Sequence, residues 1–530
     1  MFPGWTMSEL VVPSGLPVLG LLDFWRMMVA YLGAEREGGW RIPLGYVLLL
    51  ALPCIVFKYL PMVDLPQHEA VVSMMLHLGD RRWAFDSYYQ WEPTRTLYVL
   101  PYLLAALVSQ LMPLHRAINC VVFCSVVAYP IGVLLYLRAL SRPAWVALVT
   151  LPLLYNQSFF WGFVNFNLAV GLAFVTFAVM VGTWTKRKAW VVSLLGVGIA
   201  LTHIYGLLLL GAYLCLWIFS SERDEAVRRL PALAPAAFAL VVWTVLIANA
   251  SGPSGIQWMP FGVRWVKFGE SIAGGWHGHA ESISLLLTVS VVLVFFRKSL
   301  PFARAGWNTL SVHQRIAWKL VALNLLLYFS MPELQVAALK ATFRHAQLAA
   351  MAFPLALSID FNGAGCQWGR LGLHVLGAFV IVNSWSNLRA FDAEARSFDV
   401  IVDHVPTGSR VAQLTYERRG KQTKVPAYLH FAAYLQAQKG GLLAVSFPAR
   451  FWNVPIKPKA FPGFPPVPVD LEWRPRLFGK AQLSRYFDYL IVRAPNSPEQ
   501  EPRWGSEPMY QLQLKSGPWW LFRKCEPVHE

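Results

Sequence analysis

The chain has 530 residues, of which 56% are apolar and only 14% charged, where a soluble domain carries about a quarter charged residues. Its net charge is +17, spread over many loops, which fits the positive-inside bias and a basic surface facing anionic lipid better than nucleic-acid binding. Of six cysteines, only Cys525 lies in the polar tail, so no internal disulfide forms there, and no spacing resembles a metal or redox motif; cysteine therefore says little about compartment.

In chain order, residues 1–41 read as an N-terminal interfacial segment, because Leu16–Tyr31 is apolar but broken by Asp23 and Arg26. Ile42–Leu60 lacks a small-residue cleavage site and reads as the first membrane span. Residues 62–116 form one long outer loop. Within it Leu97–Met112 carries Pro101 and is about 16 residues, short for a crossing. Basic clusters follow at Arg138/Arg142, Lys186-Arg187-Lys188, Arg223/Arg228/Arg229 and Arg297/Lys298 to Lys319. Placing all four inside forces outer turns at Phe160–Asn165 and Thr202–Gly206. Further spans are expected at 231–250, 281–297, 316–331, 345–360 and 370–386. That makes a bundle of about eleven spans over 42–387, and the odd count leaves the tail outside. No internal repeat is visible.

The tail, 388–530, alternates. Strands are expected at Arg410–Thr415, Leu442–Phe447, Phe487–Arg493, Tyr510–Leu514 and Trp519–Phe522, with a helix over Pro426–Gln438. The fold expected is therefore mainly α: a polytopic membrane helix bundle with a small C-terminal extracytoplasmic α/β domain.

The most suggestive polar cluster lies just beyond the first span, in Asp64-Leu-Pro-Gln-His68-Glu69. Ionisable groups at a membrane face are costly and mark function. Asp64 also suits the N-cap of a helix begun by Pro66. His68 and Glu69 suit a solvated first turn equally well. Asn156, Gln157 and Asn165 suit either ligand hydroxyls or a turn. His203, at the second outer turn, reads as an interhelical hydrogen bonder or a site residue. His277, His279 and Glu281 have metal-like spacing but sit among glycines, which favours a solvated loop. Glu333 is an acid on the outer side, or a helix-end charge.

The run Asp64-Leu-Pro-Gln-His68, the turn Trp161-Gly-Phe-Val-Asn-Phe166 and the segment His430…Lys439-Gly-Gly441 resemble poorly characterised bacterial membrane proteins built like the GT-C superfamily of integral-membrane glycosyltransferases. The resemblance implies an inner-membrane enzyme that takes a sugar from a polyprenyl-phosphate lipid donor, with inverting transfer. It also implies that Asp64 is the base, with His68 and Glu69 beside it. Lys340, Arg344 and His345 suit the departing phosphate, since the planar Arg fork donates bidentately. Snorkelling at the interface explains Lys340 and Arg344 as well. Asn165 and His203 complete the expected binding set. Some members of the superfamily bind a divalent metal, for which Glu69, Asp86 and Glu92 are candidates without a compact signature. The family's second loop acid is missing, and Asn165 stands at the corresponding turn. The rival expectations are a transporter or flippase of a lipid-linked or anionic solute, and a non-catalytic assembly subunit of the same build.

Overall fold

A computed structural model describes residues 39–248, 254–295, 307–336, 339–340, 342–357, 365–451, 453–460, 466–468, 470–480, 483–495 and 510–525. The segment expected at Leu16–Tyr31 lies outside them. The described residues are mainly helical, with a small sheet region toward the C-terminal end. Among the described residues, three helices are long and apolar enough to cross a membrane: Leu114–Ala139, Arg223–Leu246 and Trp368–His404. Val164–Met180 and Ile204–Ile218 are apolar but shorter, at 17 and 15 residues. At 1.5 Å per residue they reach about 22–26 Å, against the roughly 30 Å of a bilayer core. The helix inside Leu97–Met112 is only Leu100–Val108, about 14 Å by the same rise.

Arg142 and Arg229, from two of the basic clusters, lie at one end of the bundle. There Arg142 donates to the Leu355 carbonyl (2.6 Å) and to Ser311 Oγ (3.2 Å). Arg229 donates to the carbonyls of Met180 (2.7 Å) and Gly182 (2.9 Å). The same helices begin at the opposite end with Asn165 and Arg344, near the starts of Val164–Met180 and Thr342–Ala356. Aromatic rings and aliphatic side chains fill the space between. There Tyr129 ties two helices together, donating to the Met351 carbonyl at 2.9 Å.

The segment expected as the first span holds a helix, Arg41–Ala51, and a short turn of helix, Pro53–Val56. The carbonyls freed at its end have partners, as buried backbone groups require. Asn119 donates to Phe57 (3.0 Å) and Lys58 (3.2 Å), and Arg116 donates to Ile55 and Val56.

The last long helix, Gly365–Ala395, runs on past the boundary expected at 388, so bundle and tail share one rod. The helix Ser397–His404 follows. Lys58 pairs with Asp399 at 2.6 Å, and the Tyr59 N–H donates to Asp392 at 2.9 Å. The tail sheet runs Leu442–Leu443, Arg410–Thr415, Tyr489–Arg493, Trp519–Lys524, Tyr510–Ser516 in spatial order. Its first three strands are parallel, and the last two add as an antiparallel hairpin. Tyr489–Arg493 is buried throughout, as a central strand covered on both faces should be. The strand expected over Leu442–Phe447 stops at Leu443. Pro448, which has no N–H for a ladder, instead opens the helix Phe447–Arg450. The helix expected over Pro426–Gln438 starts later, at Ala432.

The stretch 62–116 is bound to this domain at several points between Gln67 and Trp91. Tyr89–Trp91 pairs antiparallel with Ile456–Pro458. Ser73 Oγ donates to the Ala437 carbonyl at 2.7 Å. Gln67 donates to the Val445 carbonyl (3.1 Å) and accepts from the Phe447 N–H (2.9 Å). Lys439-Gly-Gly441 is the corner that makes the docking close. Gly440 and Gly441 have φ of +74° and +78°, and a Cβ on Gly440 would stand 2.2 Å from the Trp83 carbonyl oxygen. That oxygen accepts from the Gly441 N–H at 2.8 Å.

Candidate functional site

The site starts from a backbone contact. The Val63 and Asp64 N–H groups donate to the carbonyls of Phe160 (2.9 Å) and Trp161 (3.2 Å). The turn at 156–163 is shaped for this. Asn156 caps the short helix Gln157–Trp161 by accepting from the Phe159 N–H, and Gly162 ends it in the left-handed region. Asp64 is thereby fixed at the head of the helix Leu65–His77.

Asp64 occupies the N-cap position, but its carboxylate makes no capping hydrogen bond. Asp64 Oδ1 instead lies 3.1 Å from His430 Nδ1, an ion pair off the line of the ring N–H. His430 Nε2 lies 3.2 Å from Glu472 Oε2, and Glu472 is 3.5 Å from Arg450. Burial by itself would push the His430 imidazole down. The two carboxylates on its two nitrogens outweigh this and raise it to about 9. Burial likewise works against the Glu472 charge, yet His430 and Arg450 hold it below the usual carboxylate range.

His68 belongs to a second chain of contacts. Its Nε2–H donates to the Gly162 carbonyl at 3.2 Å, so Nδ1 accepts from the Tyr102 hydroxyl at 2.9 Å. Asn165 lines the same cleft as Tyr102 and His68. Burial brings His68 down to about 4, more than nearby Asp64 raises it. It is therefore a neutral ring, fixed in one tautomer.

The cationic side is built from His203 and Arg344. His203 Nδ1 accepts from the Tyr205 N–H at 3.1 Å, capping the helix Ile204–Ile218. Its proton then sits on Nε2, 3.3 Å from Arg344 Nη1. Two donors face each other there, an arrangement that an incoming acceptor would relieve. Tyr98 stacks on the His203 ring at 4.6 Å. The Arg344 guanidinium lies over Phe163 (4.8 Å), Phe166 (5.0 Å) and Tyr205 (5.1 Å). It is 3% exposed, its Nε has no hydrogen-bond partner, and no carboxylate pairs with it among the described residues. A buried cation without a counter-charge is expensive.

Asp64, His68, Asn165, His203 and Arg344 line one cleft of about 580 Å³, part of it open to solvent. Tyr98, Tyr102, Phe163 and Phe166 form its aromatic walls, and Phe447, Phe451, Asn453 and Val454 close it from the C-terminal domain. An acid and a cation thus share one apolar-walled space, which is the layout of a ligand site.

Among the described residues, the other sequence candidates do not line this cleft. Glu69 is buried and does not line the cleft, and burial raises its carboxyl to about 8. His345 lies 3.0 Å from Asn324 on the helix Val312–Ser330. Lys340 ends the short strand Leu339–Lys340, and its side chain lies outside the described residues, as does that of Glu333. The acids considered for a metal do not fit a shared site. Glu92 pairs with Lys457 at 3.4 Å, Asp86 is exposed and Glu69 is enclosed. Among the described residues no group of three His, Cys, Asp or Glu side chains is arranged for a metal. His277 and His279 are exposed. Glu281 accepts from the N–H groups of Gly275 (3.0 Å) and Trp276 (3.1 Å), bracing the loop.

Sequence reasoning missed Glu472 and Arg450 as partners of the Asp64 cluster, and Tyr98 and Tyr102 as cleft walls. The signal for His430 was its place in the tail motif alone. Compared with models of known protein families and with curated proteins, the chain matches none.

Proposed function

We propose that the chain is a membrane glycosyltransferase of GT-C-like build, moving a sugar from a polyprenyl-phosphate donor to an acceptor outside the bacterial cytoplasmic membrane. In this reading the bundle crosses about eleven times, with the shorter apolar helices as its short spans. The basic end faces the cytoplasm, and the cleft and C-terminal domain face outward. One observation carries the reading: Arg344, a buried cation without a carboxylate partner among the described residues, shares a cleft with Asp64.

The chemistry follows from that pairing. Asp64 takes the proton of an acceptor hydroxyl as its oxygen attacks the anomeric carbon from the face opposite the phosphate. The bond from that carbon to the phosphate oxygen breaks, and its electron pair leaves on the phosphate. Arg344 and His203 Nε2–H stabilise the departing charge. Asn165 and the aromatic walls position the sugar. No step runs through a metal.

A non-catalytic subunit is the second reading. It is favoured by the Asp64–His430 ion pair, which would also serve as a pin between bundle and tail. Native mass spectrometry with a short polyprenyl phosphate tests the proposal. Wild type should retain the lipid, and Arg344→Gln should lose affinity by about tenfold or more. Equal binding by the two proteins would remove the phosphate site.

A further inference from the structure

The transferase reading gives Asp64 a role but not a cause for its orientation. A carboxylate at a helix N-cap ordinarily turns back to accept from the N–H groups of the first turn. Asp64 makes no such bond, and its Oδ1 lies 3.1 Å from His430 Nδ1. His430 is held in turn. Its other nitrogen is 3.2 Å from Glu472, which Arg450 approaches at 3.5 Å. The Phe447 ring stands edge-on to it at 6.1 Å. His430 is 9% exposed, so its rotamer is set by packing as well as by charge. Asp64 belongs to the outer loop, and His430, Glu472 and Arg450 all belong to the C-terminal domain.

We infer that His430 is a positioning residue, supplied by the C-terminal domain and clamped from behind by Glu472, which draws the Asp64 carboxylate away from its helix cap and holds it at the cleft. The inference rests on the transferase reading for what the held carboxylate does. It makes the C-terminal domain part of the site, and the docking of loop and domain a condition for a competent base. Such orientation is worth a large part of a reaction's acceleration, since a displacement of about 1 Å can cost roughly 10²-fold.

The groups facing His430 are few. Asp64 and His68 come from the head of the helix Leu65–His77, Glu472 from the turn at 470–473, and Arg450 from the helix Phe447–Arg450 through Glu472. His68 is neutral through the physiological range, so Asp64 and Glu472 are the partners that set the His430 charge. His430 therefore stays protonated up to about pH 9.

Two measurements on the full-length protein in detergent test this. The first follows deuterium exchange at the His430 ring C–H by mass spectrometry across pH, which reports imidazole protonation without any activity. The wild-type midpoint should fall near pH 9. Asp64→Asn and Glu472→Gln should each lower it by about one unit or more. An unchanged midpoint in both variants overturns the inference. The second is sugar transfer from a labelled short-chain polyprenyl-phosphate sugar. His430→Gln should lower kcat by about 10²-fold with the donor KM unchanged. Wild-type kcat should fall as pH rises through about 9, and this alkaline limb should vanish in the variant. A His430→Gln variant with wild-type kcat overturns the inference. Should that variant fail to fold, Glu472→Gln serves in its place, with a smaller loss of the same kind. An inactive wild type whose exchange midpoint still shifts overturns the transferase reading instead, and leaves the clamp standing.

Discussion

Gly162 and Asp64 meet backbone to backbone. Gly162 has φ +83°, and a Cβ placed on it would stand 2.7 Å from the Asp64 nitrogen. The turn that carries the cleft's Phe163 and Asn165 is thereby locked to the residue proposed as base. Gly162→Ala meets two penalties at once. The left-handed conformation costs a non-glycine residue about 1–2 kcal/mol, and the clash is with backbone, which cannot swing aside. The variant should show a lower thermal midpoint and a reduced folded yield in detergent. A midpoint equal to wild type would mean that the turn relaxes freely and fixes nothing at Asp64.

Glu69 gives a pH-dependent prediction whose sign can be worked out. Its carboxyl stands near 4.5 in the unfolded chain and is raised to about 8 by burial, less a small lowering from Lys58. The native state therefore favours the neutral acid. Stability falls as pH rises from about 4.5 to about 8, where the buried group is forced to ionise. Glu69→Gln keeps the shape and removes the charge. Its thermal midpoint should match wild type near pH 5 and exceed it at pH 8, where its stability gain is on the order of 2–4 kcal/mol. A gain that is the same at both pH values would show that Glu69 does not titrate there.

The parts of this arrangement differ in how far the sequence discloses them. Asp64 stands out because an acid directly after a long apolar run is rare and costly. Arg410–Thr415 is legible because a short run with Val411, Leu414 and Thr415 favours a strand, and it folds over those same six residues. The Asp64–His430–Glu472 clamp is not legible, since it joins an outer loop to two separate points of the tail, and no local period records such a contact. His430 sits among apolar neighbours where a buried histidine and a site histidine look alike. The Arg344–His203 contact is hidden for the same reason. The boundary at 388 is placed by hydropathy, which falls where the helix leaves the apolar stretch, whereas its backbone hydrogen bonds continue to Ala395.

The side of the membrane on which the tail lies can be read from a native residue. Cys525 is exposed just after the last strand, while Cys54 is buried in the bundle. In intact cells a membrane-impermeant thiol reagent should label Cys525, and a Cys525→Ser control should lose that signal. Labelling only after lysis would place the tail inside, and the cleft with it.

The most direct measurement is transfer itself, using purified protein and a labelled polyprenyl-phosphate sugar. Wild type should transfer the label to a hydroxyl acceptor. Asp64→Asn should fold and bind the lipid but lose about 10²–10⁴ in kcat, the usual worth of a general base. Arg344→Lys should keep a cation but lose the bidentate fork, and so raise the donor KM. Wild-type transfer by Asp64→Asn would contradict the account, because a carboxamide can take no proton, and Asp64 would then be only the pin between loop and tail.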